Sequence, residues 1–398
     1  MRPIGNIRTR IAWIVFISLI CAIRLTGGQD YKANLPFDHP AIQYFKAPLH
    51  DPVSKMAAAP STLEALLKEL GLNTDSQMLV FSKTSFQSPR ISPDNPRAIY
   101  FNDNVAVGFV RGSSAIEVTA LDPALGPIFY ELTVDQSGQP RFDRNEACLK
   151  CHQGPNTSGV AGIYIGSVIP GPSGVPLRDE SAIITDHRSD FKDRWGGWYV
   201  NARRGEQPDR ANAVASNPSE PDTLVRESQQ NLVNLMGKFN PSGYLSQVSD
   251  IVALMTFEHQ TQMVNYLTRA GWISRMGQDP EIEDLIAYML FAKEAPLKEP
   301  VEGVSTFTKT FPQRGPRDRK GRSLRDFDLE KRMFKYPLSY MVYSASFDAL
   351  PEAVRERIYR RLYEILKGAD YPHLSSADRR SIVEILRETK PNLPSYWQ

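Results

Sequence analysis

Three reactive side chains lie close together in the segment EACLKCHQGP. Cys148 and Cys151 are three positions apart and His152 follows directly, in a chain with only three cysteines. Two thiols at positions i and i+3 lie on one face of a helical turn, where they can add to the two vinyl groups along one edge of a porphyrin. The imidazole of His152 is then placed to bind the iron. The pattern predicts covalent attachment of one haem c per chain.

A disulfide and a zinc site are the alternative interpretations of the two cysteines. Zinc needs about four ligands, and its usual Cys-x-x-Cys pair is accompanied by a second pair, which this chain lacks. A thioredoxin-like motif follows a strand inside a βαβ unit, whereas the preceding segment DQSGQPRFDRNE is polar and rich in turn residues. Asn145 or Asp143 is expected to cap the haem turn.

The N-terminus has the composition of a secretory signal peptide. MRPIGNIRTR contains three arginines and no acid, and 13 almost entirely apolar residues follow. That run is too short to span a bilayer, which takes roughly 20 apolar residues, and no later run resembles a span. We expect residues 1–28 to be a signal peptide that carries Cys21 away. The protein is then periplasmic or otherwise exported, or membrane-tethered if the leader stays uncleaved.

The charge balance argues against a nucleic-acid partner. Loss of the leader removes four arginines and no acid, so the formal net charge changes from +2 to −2. Binding to a phosphate backbone relies on clustered positive charge. A redox partner protein is the expected partner.

The elements around the motif change type along the chain. Short aromatic and β-branched runs, separated by Gly, Pro, Asn or Asp, predict strands and hairpins before and just after the haem turn; these runs are QMLVFSKTSFQ, RAIYFNDNVAVGFVRG, SAIEVTALD, PIFYELTVD, GIYIGSVIP, SAIITDH and WGGWYVN. STLEALLKELGL, near residue 65, has an apolar stripe at helix spacing.

From about residue 222 onward, apolar stripes with a period of 3.6 predict helices. They occur in DTLVRESQQNLVNLMGKF, YLSQVSDIVALMTFEHQTQMVNYLTRAGW, PEIEDLIAYMLFA, SLRDFDLEKRMFK, EAVRERIYRRLYEILKG and SADRRSIVEILRE. The chain is therefore predicted to be α+β. A strand-rich haem-attachment region spans residues 29–221, and a mostly helical region of residues 222–398 packs against it.

The second axial ligand of the iron is the least determined feature. His259 stands in a helical stripe with Met255 and Met263, at spacings of four residues, so it is the leading distal candidate and Met263 a weaker one. A buried core histidine, satisfied by other protein groups, is the alternative interpretation of His259. His187, at the end of SAIITDH, is a further candidate, and five-coordinate iron is also open. His39, His50 and His373 are expected to be loop histidines.

Aromatic and cationic residues give candidates for haem contact. Trp195 and Trp198 in DRWGGWYV are candidate rings against the haem, with two intervening glycines that permit close approach; ordinary core tryptophans are the alternative. Arg97 and Arg194 are candidates for charge-assisted bonds to haem propionates, and structural ion pairs are the alternative for each.

Several blocks of the sequence together resemble a family of large, exported bacterial mono-haem proteins with a cytochrome c domain. The blocks are DSQMLVFSKTSFQ, PRAIYFNDNVAVGFV, EACLKCH, RWGGWYV, FEHQTQM, KYPLSYMVYSASFDALP and KPNLPSYW. The resemblance implies covalent haem at Cys148 and Cys151, His152 as proximal ligand, and electron transfer. Members of that family often have histidines just after RWGGWYV, where this chain has NARRGEQPDRAN; Arg204 and its neighbours stand in their place.

These features favour an exported electron-transfer protein. No Ser-His-Asp order, phosphate-binding loop or paired-carboxylate spacing stands out in the sequence. A peroxidase-like haem oxidoreductase with an open distal site is the first alternative, because open iron positions favour chemistry over simple electron transfer. A haem-binding sensor or structural partner is the second.

Overall fold

The computed structural model describes residues 40–177, 182–215, 231–368 and 370–398. The predicted signal peptide, residues 1–28, lies outside the described residues, as does the predicted boundary at residues 221 and 222. Within the described parts the fold is α+β, with an antiparallel sheet in the N-terminal region and long helices in the C-terminal region. The predicted fold class is confirmed.

A seven-stranded antiparallel sheet forms the first region, in the order β6-β5-β4-β3-β2-β1-β9, and a separate two-stranded sheet pairs β7 with β8. The strands are β1 Met78–Val80, β2 Arg97–Phe101, β3 Val105–Phe109, β4 Ala115–Asp122, β5 Gly126–Val134, β6 Pro140–Arg144, β7 Ile165–Ser167, β8 Ile183–Thr185 and β9 Trp198–Tyr199. Most coincide with the predicted runs. β6 is the exception, because the polar segment before the motif pairs with β5 as a partly exposed edge strand.

The helices described are α1 Pro40–Lys46, α2 Leu63–Glu69, α3 Leu149–His152, α4 Ile251–Arg275, α5 Glu283–Met289, α6 Phe307–Gln313, α7 Ala345–Asp348, α8 Glu352–Lys367 and α9 Ser376–Thr389. The long helix α4 begins at Asp250, whose side chain accepts the backbone N–H groups of Val252 and Ala253. This is a standard helix N-cap. Nearly every turn of α4 is buried, which is typical of a helix that lies inside the protein rather than on its surface.

The two faces of the large sheet contribute to different cores, because neighbouring residues of a strand point to opposite sides. Met78 and Ile99 belong to the core that contains α4 and reaches Trp397 near the C-terminus. Leu79 and Tyr100 belong to a second core that contains α2. The helical region therefore packs on one face of the sheet, and the strand-rich and helical regions share one core.

Two predicted helices are not formed where the structure describes their residues; for DTLVRESQQNLVNLMGKF, residues 222–230 lie outside the described ranges. Residues 231–250 form turns, because Asn234 and Asn240 bond the backbone two residues on and Gly237 and Gly243 have positive φ angles. The segment SLRDFDLEKRMFK is also irregular. There the carboxylate of Asp328 accepts the backbone N–H groups of the next residues, in competition with a helix.

Candidate functional site

The cysteine motif lies on a short helical turn that leaves the edge of the sheet. β6 ends at Arg144, and the side chain of Asn145 accepts the N–H of Ala147 at 2.9 Å. A 3-10 turn, Glu146–Cys148, then leads directly into α3. The predicted cap by Asn145 is confirmed. Because the cap fixes the residue at which the turn begins, Cys148 and Cys151 lie one turn apart on the same side of the turn.

Both cysteines are free thiols in this structure. Cys151 is exposed and Cys148 is partly buried. Burial, together with the charges of Glu117 and Glu131, raises the pKa of Cys148 to about 11, so this thiol keeps its proton at neutral pH. The motif thus offers one neutral thiol that lies against the sheet and a second thiol at the surface.

The tautomer of His152 is fixed by a backbone carbonyl. Nδ1 of His152 lies 3.0 Å from the carbonyl oxygen of Gly162, and because a carbonyl only accepts, Nδ1 carries the proton. Burial lowers the pKa of His152, so the ring is neutral at pH 7. Nε2 then holds a lone pair, and it has no hydrogen-bond partner among the described residues. A neutral imidazole with Nδ1–H bonded to a carbonyl is the usual state of a histidine that binds a metal through Nε2.

Two aromatic rings hold the imidazole in place. The ring centroid of His152 lies 4.9 Å from that of Phe129 in β5 and 5.5 Å from that of Tyr164. The backbone adds a second constraint, since the N–H of Gly162 donates to the carbonyl of His152 at 2.8 Å. His152 and Gly162 are thus joined by two hydrogen bonds.

A polar strip of the sheet lies beside the motif. Gly108, Glu117 and Glu131 stand opposite one another on β3, β4 and β5. Arg97 of β2 crosses β3 to form an ion pair with Glu117, with side-chain exposures of 23% and 18%. A Cβ atom at position 108 would overlap the guanidinium group, so a larger residue there would push the Arg97 side chain aside. Nε of Arg97 is buried and has no hydrogen-bond partner in the described part of the chain.

These groups fit a covalently attached haem. The turn supplies two free thiols and a neutral imidazole with a free Nε2 lone pair, and Arg97 adds a buried N–H that lacks a partner. A haem propionate accepts such a charge-assisted bond. As for metal ions bound directly by side chains, no group of three or more His, Cys, Asp or Glu residues suited to hold one occurs in the ranges described.

The leading distal candidate, His259, lies in the main core with both ring nitrogens engaged. It is fully buried. Its Nδ1 lies 2.9 Å from Nδ1 of His187, and its Nε2 lies 2.7 Å from Oγ of Ser339. This is the arrangement of a core histidine satisfied by other protein groups. It leaves no lone pair of His259 free for iron.

The other predicted distal ligands are also core residues. His187 is 2% exposed and packs against the rings of Tyr288 and Phe291, at centroid distances of 4.1 and 4.7 Å. Its Nδ1 is held by His259, and its buried Nε2 has no hydrogen-bond partner in the described ranges. Met263 and Met255 belong to the same core, at 0% and 3% exposure. The structure therefore gathers the histidine pair with aromatic rings and does not identify a second axial ligand among the predicted residues.

Trp195 and Trp198 are core side chains as well. Trp195 is fully buried with its ring against Phe191, and Nε1 of Trp198 donates to the carbonyl of Gly166 at 2.8 Å. The intervening glycines do permit a close approach, but to the backbone of Val168 and the side chain of Ser82. The rings beside His152 are those of Phe129 and Tyr164, and no sequence pattern pointed to either residue.

The candidate arginines form structural ion pairs. Arg194, 2% exposed, lies with its Nη1 3.4 Å from Oε2 of the fully buried Glu258, and the hydroxyl of Thr185 donates to Oε1 of that carboxylate at 2.6 Å. Arg204 is fully buried, with Nη2 2.5 Å from Oδ2 of Asp209. Arg97 and Arg194 each form an ion pair, the alternative that the sequence left open, and in Arg97 this pair leaves Nε without a partner in the described ranges. His50 and His373 are exposed loop histidines, as predicted, and Nε2 of His373 lies 2.8 Å from the carbonyl oxygen of Leu290. His39 lies outside the described residues.

Comparisons of this chain with family models, with curated proteins and with solved structures found no match. None of the helices in the described ranges has the length and apolar character needed to cross a membrane.

Proposed function

We propose that this chain is an exported c-type cytochrome that binds one haem through Cys148 and Cys151, with His152 as proximal ligand, and transfers electrons. The observation that carries the proposal is the tautomer of His152. Its Nδ1 proton is held by the Gly162 carbonyl, so the lone pair on Nε2 is available in the same turn that carries two free thiols. The seven sequence blocks that resemble exported mono-haem proteins support the same assignment.

Attachment needs only groups that the turn and the haem supply. Each of the two thiols would add across one vinyl group, with a sulfur–carbon bond formed and the thiol hydrogen passed to the other vinyl carbon. No oxidant or reductant is consumed. Once bound, haem iron supplies one-electron redox chemistry. Arg97, whose Nε lacks a partner, is suited to donate a charge-assisted bond to a propionate.

Electron transfer is favoured over enzymatic turnover by the exposure of the motif. Cys151 lies at the surface, so the porphyrin edge bonded to it would also lie near the surface. Electron exchange with a partner protein requires such an exposed edge, whereas haem catalysis depends on a shaped distal pocket. The partner is expected to be a redox protein of the exported compartment, in agreement with the predicted leader.

The proposal is tested with protein purified from the exported fraction of a host that matures cytochromes c. We expect a haem absorbance spectrum that persists in denaturant and a reversible one-electron titration. The matched control is Cys148→Ser/Cys151→Ser, which should fold, because no disulfide is lost, and should retain no haem after denaturation. A colourless wild-type protein would overturn the proposal.

Small ligands separate electron transfer from the alternative function. An electron carrier should bind carbon monoxide or cyanide slowly or not at all, and should not turn over peroxide. Rapid binding together with peroxide-dependent oxidation would replace electron transfer by a peroxidase-like oxidoreductase, with the attachment site unchanged.

A further inference from the structure

The side chain of Asn265 in α4 forms two hydrogen bonds with the loop that positions the proximal histidine, His152. It is fully buried. Its Oδ1 accepts the N–H of Ile163 at 3.0 Å, and its Nδ2 donates to the carbonyl of Ile163 at 2.7 Å. These two bonds fix the orientation of the amide, because the reverse orientation would set donor against donor and acceptor against acceptor.

One of these two hydrogen bonds is made to the same peptide group that accepts the hydrogen bond of His152. The N–H of Ile163 and the carbonyl of Gly162 belong to one peptide unit, and that carbonyl accepts the Nδ1 proton of His152. The chain of hydrogen bonds therefore runs from Nδ1 of His152, through the Gly162–Ile163 peptide group, to Oδ1 of Asn265. A peptide that donates through its N–H becomes a stronger acceptor at its oxygen, because linked hydrogen bonds polarise one another.

The space around this peptide admits little adjustment. A Cβ atom at Gly162 would overlap Oδ1 of Asn265 and would lie 2.7 Å from Cβ of Thr157. The hydroxyl of Thr157 in turn donates to the carbonyl of Val160 at 2.7 Å. The absence of a side chain at position 162 lets α4 approach the loop closely enough for Asn265 to reach it.

We propose that Asn265 is a positioning residue that tunes the proximal ligand. By polarising the Gly162–Ile163 peptide, it strengthens the bond to Nδ1 of His152, makes Nε2 a stronger donor to ferric iron, and so lowers the reduction potential. The inference rests on the proposed function, since it concerns the ligand strength of His152. It also assigns a role to a residue more than a hundred positions away from the cysteine motif.

The test compares Asn265→Leu, which removes both bonds, with Thr261→Val, which removes a buried hydroxyl of the same helix that bonds only within α4. At a fixed applied potential, Asn265→Leu should raise the ratio of ferrous to ferric haem by roughly tenfold. For a one-electron couple this is an upward shift of about 59 mV. The iron–histidine stretching frequency should fall. Thr261→Val should change neither quantity.

Asn265→Asp serves as the conservative variant. A carboxyl group buried at this position is expected to be neutral, and its O–H and C=O groups can replace the two amide contacts. Its potential should therefore stay close to that of the wild type. An unchanged potential and stretching frequency in folded Asn265→Leu would overturn the proposal, and so would equal shifts in the Leu and Asp variants.

A measurement without haem separates this inference from the proposed function. In Cys148→Ser/Cys151→Ser, the ¹⁵N shifts of the His152 ring should report the Nδ1–H tautomer, and adding Asn265→Leu should mix the tautomers. In the same protein, the amide of Ile163 should exchange slowly with solvent. If the wild type carries no haem but Asn265→Leu still mixes the His152 tautomers in the double serine variant, only the proposed function is refuted. A rapidly exchanging Ile163 amide would refute the role of Asn265, whether or not its variants fold.

Discussion

The attachment turn and the buried histidine pair both contain neutral imidazoles, but they use them differently. Burial lowers the pKa of His152, and it lowers the pKa values of His187 and His259 well below the usual value for histidine. In the core, His259 has both ring nitrogens in protein hydrogen bonds. In the turn, only Nδ1 of His152 is held. One held nitrogen does not by itself mark a ligand, because His187 also has Nδ1 held and Nε2 without a partner in the described ranges, but lies among aromatic rings. What sets His152 apart is that its free nitrogen stands in the same turn as two free thiols.

The largest expected difference is in stability, between the buried ion pair of Arg194 and the partly exposed ion pair of Arg97 on the sheet beside the cysteine motif. Arg194→Met should destabilise the protein by about 3–5 kcal/mol, because it leaves Glu258 buried without its cation. Arg97→Met, on the half-exposed sheet face, should cost about 1 kcal/mol or less. Unfolding in urea measures both. Arg203→Met is the control, because its ion pair with Glu302 is exposed and should contribute almost nothing. Equal losses for Arg194 and Arg97 would contradict the comparison.

A smaller effect concerns the pH dependence of stability. The folded core keeps His187 and His259 neutral, whereas in the unfolded chain each takes up a proton below pH about 6.5. The stability that these groups contribute is therefore fully present above pH 6.5 and is lost as the pH falls toward their folded pKa values. For each histidine the loss approaches about 1.4 kcal/mol per pH unit.

Replacing one histidine isolates this contribution. Other groups act in the opposite sense, since burial raises the pKa of Glu294 to about 7. The measured quantity is therefore the difference in unfolding free energy between wild type and His259→Gln, followed from pH 8 to pH 5. We expect the wild type to lose stability more steeply than the variant, and the exposed-loop control His50→Gln to follow the wild type. Parallel curves for wild type and His259→Gln would count against a neutral core pair.

The same variant sharpens the ligand assignment. If His259 is a structural residue, His259→Gln should leave the near-infrared magnetic circular dichroism of the haem protein unchanged. A changed axial-ligand signature in a folded variant would restore His259 as the distal ligand.

The smallest expected effect concerns Trp198. Trp198→Phe removes the bond from Nε1 to the carbonyl of Gly166 and should cost about 1 kcal/mol of stability. Because Trp198 is a core residue, its replacement should leave the haem absorbance spectrum unaltered. Tyr164→Phe, which changes a ring beside His152, is the comparison. A spectral shift in Trp198→Phe of the kind expected from a lost haem contact would show that this ring packs on the haem.

Local features of the site were predictable from the sequence. The spacing of Cys148, Cys151 and His152 and the cap by Asn145 depend on one turn of backbone, and alternating β-branched runs marked most strands. Such features depend on neighbours in the chain. The helical stripe correctly placed His259 on a buried face, but the pattern could not tell whether that face meets haem or protein.

The remainder depends on contacts between distant segments. Asn265 and Ile163 are 102 residues apart, and no pattern in α4 distinguishes this asparagine from a polar core residue. Tyr164 reaches His152 only because the intervening loop turns back, with the peptide of Gly162 bonded to His152. In the segment around Asp328, local side-chain bonds to the backbone overrode a helical stripe.

The central claim, covalent attachment through both cysteines, is tested most directly by peptide mass spectrometry. Trypsin cuts after Lys150, between the two cysteines, and so releases residues 145–150 and 151–178 as separate peptides. In the exported protein we expect these two peptides to stay joined after treatment with a thiol reductant, with the added mass of one haem. Two separate, unmodified peptides, or a pair that the reductant separates, would contradict it.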